Sequence, residues 1–339
     1  MSARGRARTR PVTYCLKPGD IMLRISRALL AVIAIVALAG PARAADKIKL
    51  GTSGLALLWT FIDAGTRAGT WQKYGIEAER VEFAGDANMQ QALTSASVDF
   101  GFGSGPGMAY HSKGVPAIAV AAVAGPPYSF VLMVRPDSRL KTSDDLKGAK
   151  VGVTTEGSVT QWLVRELSRQ KGWGSNGIVD LPLGTIRTQF VALKNGELDA
   201  SVTTVETSST YEAEREGRTL LTFGDLVKDF HAHVTFARIE HIQKNPDLVR
   251  RFLKGWFATV AFMKANREFI IKEGAAAMRY PEAIIAKAMD GQFKMLSDDG
   301  VFNPAALDKI SKSFVELGIL QAEPDRKLMY VDGFTPVRP

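Results

Sequence analysis

The sequence has 339 residues, of which 46% are hydrophobic and 23% charged, and its mean hydropathy is −0.01. These values exclude a disordered chain, a collagen-like chain and a polytopic membrane protein. The formal net charge is +8, but residues 1–44 carry +7 of it through eight basic residues and one acid. Residues 45–339 therefore keep too little positive charge to grip a phosphate backbone, and nucleic acid is disfavoured as a partner.

Residues 1–44 have the layout of a secretory signal peptide. Arg24 and Arg27 precede an apolar run of about 12 residues, and Ala42-Arg43-Ala44 supplies the small residues of a cleavage site. The run is shorter than the ~20 residues of a spanning helix, so we expect a soluble periplasmic protein, with an uncleaved anchor as the alternative. Residues 1–21 do not resemble a signal peptide's basic region, and we expect translation to start at Met22.

Cys15 is the only cysteine, and it precedes the predicted cleavage site. The exported chain would then have no disulfide, no thiolate metal site, no cysteine nucleophile and no lipid-modified N-terminal cysteine. Its stability must come from a packed core.

The first elements of the exported chain alternate between strand and helix. Residues 47–50 alternate polar and apolar side chains and run into the turn 51–54, which predicts a strand. A helix to about Arg67 follows, then a strand over 77–83, and Ala84-Gly85-Asp86 supplies the start of another helix. This order predicts a parallel sheet with helices on its faces.

A repeat with a spacing of 100 residues divides the chain. Asp99 follows Ala92-Leu93 by the same interval at which Asp199 follows Ala192-Leu193, and the strands after them end at Ser104 and Thr204. The repeat predicts two similar α/β lobes. The alternative is a chance match, because turn residues of these types are common.

Extended segments are expected to join the lobes. We predict a crossing near residue 136 and a return strand over 233–237, so that residues 45–136 and 233–339 form lobe 1 and residues 137–232 form lobe 2. Prolines at the starts of apolar periodic segments predict the closing helices 247–272, 281–293 and 304–317.

Five motifs resemble the periplasmic solute-binding proteins of ABC importers, in the nitrate, sulfonate, taurine and thiamine-precursor group. The motifs are Gly85-Asp86, Val98-Asp99-Phe100-Gly101, residues 145–153, residues 196–200 and residues 245–249. The resemblance implies an α/β, two-lobed type II binding-protein fold with mainly parallel sheets and a two-strand hinge that closes on a small ligand. It also implies a monomer that delivers this ligand to an ABC permease and ATPase.

The ligand site is expected where strands end and helices begin, because helix N-termini present unpaired N–H groups there. Hydroxyls and glycines would meet a polar group, Trp59 would pack on an apolar part, and Arg187 would clamp an acid group. The predicted site residues are Ser53, Gly54, Trp59, Gly85, Asp86, Ser104, Gly105, Tyr128, Thr155, Ser158, Arg187, Thr204 and Glu206.

Neither a metal, a cofactor nor catalysis is expected. His231 and His233 have a spacing that a metal could use, but the sequence offers no third ligand, and a hinge-strand pair is the favoured interpretation. Ser158 has no evident histidine and acid partners. The favoured function is capture of a small organic anion such as a sulfonate or an aromatic carboxylate. The alternatives are an enzyme on the same fold, similar to menaquinone-pathway or pyrimidine-synthase enzymes, and a receptor for a sensor or another transporter.

Export predicts that the chain is cleaved after Ala44 or Ala45, since the small residues there follow the apolar run directly. N-terminal sequencing of the exported protein measures the cleavage site. A membrane-bound form that retains Met1 or Met22 would contradict the prediction.

Overall fold

The computed structural model describes residues 44–54 and 56–339, and residues 45–339 form one compact unit. Residues 1–43 of the predicted signal peptide, with Cys15 and Met22, lie outside the described residues. In the part of the chain that is described, no helix is long and apolar enough to cross a membrane.

The described residues contain two five-stranded sheets. In chain order the strands are β1 (Asp46–Ser53), β2 (Ile76–Phe83), β3 (Phe100–Ser104), β4 (Ala117–Ala124), β5 (Phe130–Val134), β6 (Lys150–Val153), β7 (Val179–Pro182), β8 (Ala200–Thr204), β9 (Arg218–Thr222) and β10 (His233–Arg238). The first sheet has the order β2-β1-β3-β10-β4 and the second has the order β7-β6-β8-β5-β9.

The two sheets have the same arrangement. In each, three strands pair in parallel and a single antiparallel strand follows, which is β10 in the first sheet and β5 in the second. Four of the five strands in each sheet therefore run in one direction, as the alternation of strands and helices predicted. Both sheets are mainly parallel, and helices flank them.

Helices connect and cover the sheets. They are α1 (Thr60–Ala68), α2 (Asp86–Thr94), α3 (Val159–Gln170), α4 (Ile186–Lys194), α5 (Val205–Ala213), α6 (Phe223–Leu226), α7 (Ile239–Lys244), α8 (Pro246–Ala265), α9 (Arg267–Met278), α10 (Glu282–Met295) and α11 (Pro304–Glu316). The helix predicted over 247–272 is in fact two helices, because Asn266 leaves the helical region with φ −124° and ψ 58°. The prolines mark starts as expected, and the Asn245 side chain accepts from Leu248 N at 3.2 Å to cap α8.

The repeated aspartates have a common structural role. Asp99 Oδ2 accepts from Lys49 N at 2.8 Å, and Asp199 Oδ2 accepts from Lys150 N at 2.9 Å. Each carboxylate thus fastens the turn before a strand to the neighbouring parallel strand. The repeat in the sequence is therefore a repeat of structure and not a coincidence of turn residues.

The crossing predicted near residue 136 needs correction. Strand β5 pairs with β8 and β9, so the chain has already entered the second sheet by Phe130 and crosses over residues 125–129. Arg135 was expected at the crossing. Its guanidinium instead lies beside the second sheet, where it donates to Leu193 O in α4 and to Leu198 O just before β8, each at 3.0 Å. Buried strands in either sheet can be continuous runs of apolar residues. The sequence pattern of residues 130–134 therefore could not show which sheet this strand joins. The chain returns over 223–232 into β10.

Aromatic side chains join the first sheet to α8. Phe100 stacks on Phe252 with centroids 4.0 Å apart, and Phe102 meets Trp256 at 4.6 Å. All four are almost fully buried. Burying a side chain of this size contributes about 1.5–3 kcal/mol, so this cluster anchors the C-terminal helices on the first sheet.

Asp99→Asn should lower the free energy of unfolding by about 1–2 kcal/mol at pH 7, because an amide replaces a charged acceptor. Burial alone would raise the pKa of Asp99, but hydrogen bonds from His241, with Nε2 3.1 Å away, and from the Lys49 N–H bring the pKa below its ordinary 3.8. A carboxylate with a lowered pKa stabilises the fold above 3.8 and loses this effect as the pH falls through its folded pKa.

Urea unfolding at several pH values measures the effect, which should persist from pH 7 to pH 5 and shrink below pH 3.8. Asp199→Asn is the matched control, because it removes the equivalent strand bond without a histidine contact and should cost less. An Asp99→Asn protein as stable as the parent at pH 7 would refute this role.

Candidate functional site

A cavity of about 570 Å³ lies between the two sheets. Its walls come from the carboxyl ends of β1, β2, β6, β7 and β8, from α5, and from the segment between α9 and α10. Cavities of 300–1,000 Å³ are typical of small-molecule sites. The carboxyl ends of parallel strands therefore define the candidate site, as open α/β sheets generally do.

Eight of the thirteen predicted site residues line this cavity. They are Ser53, Gly54, Trp59, Gly85, Asp86, Ser158, Arg187 and Thr204. The other five, Ser104, Gly105, Tyr128, Thr155 and Glu206, are not among its lining residues and have other contacts.

Ser104 and Gly105 support the site from behind. Ser104 N donates to Asp86 Oδ1 at 3.0 Å, and Ser104 Oγ accepts from Gly107 N at 3.3 Å, so this serine is buried beneath the cavity wall. A Cβ at Gly105 would lie 2.4 Å from His231 O, which explains why glycine stands there. The expected anion cradle of this loop is instead a packing contact.

Tyr128 packs at the crossing between the sheets. Its ring lies against Gly224, where an added Cβ would come within 2.3 Å of it, and the Lys228 ammonium is 5.5 Å from the ring centroid. The prediction placed Tyr128 in the site because it follows two prolines. The side chain instead fills the space around the first crossing.

Thr155 and Glu206 make contacts between the two halves of the molecule. A Cβ at Gly85 would lie 2.6 Å from Thr155 Cγ2, so the loop after β2 touches the loop after β6. Glu206 is fully buried, and its Oε1 accepts from Leu57 N at 3.0 Å. Burial raises the pKa of Glu206, although the Leu57 N–H opposes this effect.

One wall of the cavity is aromatic and electrically neutral. The ring of Trp59 meets the edge of His233 at 4.8 Å, and Phe130 lies 5.6 Å from the same imidazole. Burial lowers the pKa of His233 to about 4, so the ring is uncharged at neutral pH. This wall suits an aromatic or apolar surface. The sequence interpretation of His233 as a hinge-strand residue missed its place in the cavity.

His231 has a separate role from His233. Its Nε2 accepts from Asn303 N at 2.9 Å, and burial lowers its pKa to about 4. Within the described residues no group of three or more histidine, cysteine, aspartate or glutamate side chains is placed to hold a metal ion.

Asp86 is a fixed polar group in the wall. It is 2% exposed, and burial raises its pKa against the hydrogen bonds from Ser104 and Ser53. Gly85 before it has φ +96°, which a residue with a side chain rarely adopts. The glycine lets the chain turn from β2 into α2, and this turn points Asp86 toward Ser104.

Hydroxyl groups line the side of the cavity that belongs to the second sheet. The serines and threonines that line the whole cavity are Ser53, Thr154, Ser158, Thr160, Thr185, Thr203, Thr204, Thr207 and Thr210. Ser158 and Thr185 cap α3 and α4, accepting from Gln161 N at 3.4 Å and Thr188 N at 3.1 Å. Three helices therefore begin at this wall, α3, α4 and α5, and their N-termini favour a negative charge nearby.

Two arginines belong to the cavity lining. Arg187 is the second residue of α4, and Arg279 follows α9; both are exposed, and neither has an ion-pair partner within 4.0 Å among residues 44–54 and 56–339. Tyr211, Tyr280 and Glu214 line the same part of the cavity. Burial raises the pKa of Tyr211 to about 12 and also raises that of Tyr280, so both phenols are neutral.

Residues 278–280 were missed by the sequence analysis. The closing helices were expected to pack on lobe 1, and no residue in them was assigned to the site. The available signal was Arg279-Tyr280-Pro281, a basic and aromatic helix end before a proline, which by itself is typical of many surface turns.

The family model described as "NMT1/THI5 like" matches residues 60–268. A Brucella abortus protein, provisionally named a binding protein, is 28% identical over 307 residues, which are 86% of this chain and 93% of that one. The alkanesulfonate-binding protein SsuA from Xanthomonas axonopodis, solved with MOPS bound, is similar with TM-score 0.70 and 17% identity, over 84% of this chain and 96% of that one.

The ligand-binding component of an ABC-type import system from Staphylococcus aureus is also similar, with TM-score 0.69 and 14% identity, over 85% of this chain and 97% of that one. At these identities the structural likeness concerns the fold, whereas the family model spans more than half of the sequence. The chain belongs to the NMT1/THI5-like family and has the periplasmic binding protein fold.

Proposed function

We propose that this protein is an exported, periplasmic solute-binding protein that captures a small organic anion with an aromatic or apolar body. The observation that carries the proposal is one cavity that combines an aromatic, neutral wall with hydroxyl groups, helix N-termini and two arginines that have no ion-pair partner within the described residues. Sulfonates and aromatic carboxylates have this combination of an acid group and an apolar body.

Each part of the cavity contributes a different kind of contact. The wall of Trp59, Phe130 and neutral His233 removes the apolar body from water without placing a charge beside it. Hydroxyls and N-terminal N–H groups satisfy the oxygens of the acid group, since an unsatisfied buried oxygen would weaken binding. A small inorganic anion would use only the second set of contacts.

Two crossings between the sheets supply the hinge of the proposed function. The chain passes between the sheets over 125–129 and 223–232. Helices and loops beside the two sheets also contact each other at places far from these segments. Tyr110 OH donates to Glu156 O at 3.2 Å, and Trp162 Nε1 donates to Glu316 Oε2 at 2.9 Å. We propose that these contacts belong to the closed form and separate when the ligand leaves.

We further propose that the cavity binds its ligand without chemical change. Ser158 Oγ lies 2.9 Å from Thr160 Oγ1 and caps α3, an arrangement typical of a structural cap. An activated serine requires a neighbouring general base. The neutral His233 in the same cavity packs its ring against Trp59, which is the contact of a wall residue.

Trp59→Leu should weaken the binding of benzoate or benzenesulfonate roughly tenfold, because the flat ring of the wall is lost. Nitrate, which has no apolar body, should be unaffected. A thermal-shift screen identifies bound anions, since a ligand that binds only the native state raises the melting temperature, and calorimetry then gives Kd.

Trp59→Phe is the matched control for this experiment, as it keeps an aromatic ring in the wall and should retain most of the affinity. Circular dichroism checks that both variants fold. If Trp59→Leu binds the aromatic anions as the parent does, the aromatic wall has no part in binding.

An ABC permease and ATPase are the proposed partners, with the protein acting as a monomer. The ligand-loaded protein should raise the ATPase rate of the permease complex reconstituted in vesicles, whereas the ligand alone should not. The experiment compares the ATPase rates with loaded and with unloaded protein at equal concentrations, each in the presence and absence of the permease. No stimulation by loaded protein would favour the alternative of a receptor for a sensor or another transporter.

A further inference from the structure

Arg279 has a backbone conformation that is unusual for a residue with a side chain. Its φ is +58° and its ψ is 39°, at the point where α9 ends and its N–H donates to Ala275 O. Glycine is the ordinary residue in this position, because a Cβ is disfavoured in the left-handed region. Among the described residues Ala96, Arg215 and Arg279 are the non-glycine residues with positive φ, and of these Arg279 lines the cavity.

Strain at a binding site is a reason to look for a functional gain. The left-handed turn ends α9 and places residues 278–280 at the cavity, with Pro281 preceding α10 directly. Tyr280 OH lies 3.5 Å from Thr207 Oγ1, so this tip of the helix pair reaches α5, beside the second sheet. The turn therefore positions the Arg279 side chain between the two halves of the molecule.

Among residues 44–54 and 56–339, no carboxylate lies at salt-bridge distance from the Arg279 guanidinium. Other arginines of the protein are paired, such as Arg165 with Asp180 at 2.7 Å and Arg80 with Asp63 at 2.8 Å. Arg187, the second cation of the cavity, is likewise unpaired in the described part of the chain. The acidic residues of the lining are Glu82, Asp86 and Glu214. Glu82 has Arg80 as a partner at 3.4 Å, and Asp86 is bound by Ser104. Glu214 lies near Tyr211 and Tyr280 and, among the described residues, forms no ion pair within 4.0 Å, so two positive charges and one negative charge face this part of the cavity.

The two arginines share one region of the cavity. The positive charge of Arg187 lowers the pKa of both Tyr211 and Tyr280, whereas the Glu214 carboxylate raises both, and Tyr280 is the residue after Arg279. Arg187 follows β7 at the sheet edge, whereas Phe130 of the aromatic wall begins β5, three strands away. Three strand spacings are about 14 Å, so the backbones of Arg187 and Phe130 stand apart along the edge of the second sheet.

We propose that Arg187 and Arg279 together hold the acid group of the ligand at one end of the cavity while its apolar body reaches toward Trp59. This inference rests on the proposed function and names the group that selects the ligand's charge. Arginine suits this role, because its planar guanidinium binds a carboxylate or sulfonate through two parallel hydrogen bonds. Arg187 lies in the first turn of α4, beside the second sheet, and Arg279 follows the last residue of α9, so one bound acid group would link both parts.

The test uses the full exported chain and three probes: benzoate, benzenesulfonate and the uncharged benzamide. Arg279→Gly should lower the affinity for both anions tenfold to a hundredfold and leave benzamide binding unchanged. Because glycine accepts the left-handed conformation, the melting temperature of the Arg279→Gly protein should equal or exceed that of the parent. A stable variant with weakened anion binding separates loss of a ligand contact from loss of folding.

Two further variants sharpen the result. Arg215→Gly removes the other left-handed arginine, which follows α5 and is not part of the cavity lining, so affinity for all three probes should stay unchanged. Arg187→Gln should weaken anion binding as Arg279→Gly does. If the two arginines hold one acid group, the double variant should lose less than the product of the two single losses.

The outcomes distinguish the inference from the function on which it rests. If the parent binds the anions and the Arg279→Gly and Arg187→Gln proteins bind them equally well, the arginine pair is refuted and the solute-binding function stands. If the parent binds benzamide as tightly as benzoate, selection by charge is refuted. If the parent binds none of the three probes, the proposed class of ligand fails and the arginine inference fails with it.

Discussion

The site depends on an exchange of one strand between two sheets. After β4 the chain leaves the first sheet and supplies β5 as the antiparallel strand of the second, and after β9 it returns to supply β10 in the first. Each sheet is therefore completed by a strand that directly follows the other sheet. This constraint keeps the carboxyl ends of the parallel strands opposed, so that loops from both sheets surround one cavity.

Within that geometry the cavity separates apolar contacts from charged ones. His233 comes from β10 and Phe130 from β5, so the exchanged strands themselves build the neutral aromatic wall with Trp59. The helices that start after β6, β7 and β8 bring N–H groups and hydroxyls to the opposite side. Asp86 and Glu206 are the buried acids near these loops, and each accepts a backbone N–H, from Ser104 and Leu57, that holds a loop in place.

Much of this arrangement could be predicted from local sequence, because strands followed by small and hydroxyl residues have a common physical meaning. The loops after β1, β2, β6, β7 and β8 were identified that way, and eight expected residues lie in the cavity. Ser104 was placed there by the same rule and instead supports Asp86, because its N–H donates to the Asp86 carboxylate and its hydroxyl accepts from Gly107 N in the segment that follows β3. The rule identifies where a strand ends, but it cannot tell which strand ends border the cavity and which are covered by other residues.

Residues 278–280 lie beyond the reach of that rule for a different reason. Their position depends on the packing of α9 against α1 and of α10 against α5, contacts between segments far apart in the sequence. Asn266 ends α8 and lets the chain turn back, so that the end of α9 reaches the cavity lining. The aromatic core of Phe100, Phe252 and Trp256 fixes α8 on the first sheet and so provides the base for this turn. The proposed selection of the ligand's charge by Arg279 therefore depends on a helix end that contacts the cavity from outside the two sheets, whose own strands do not include it.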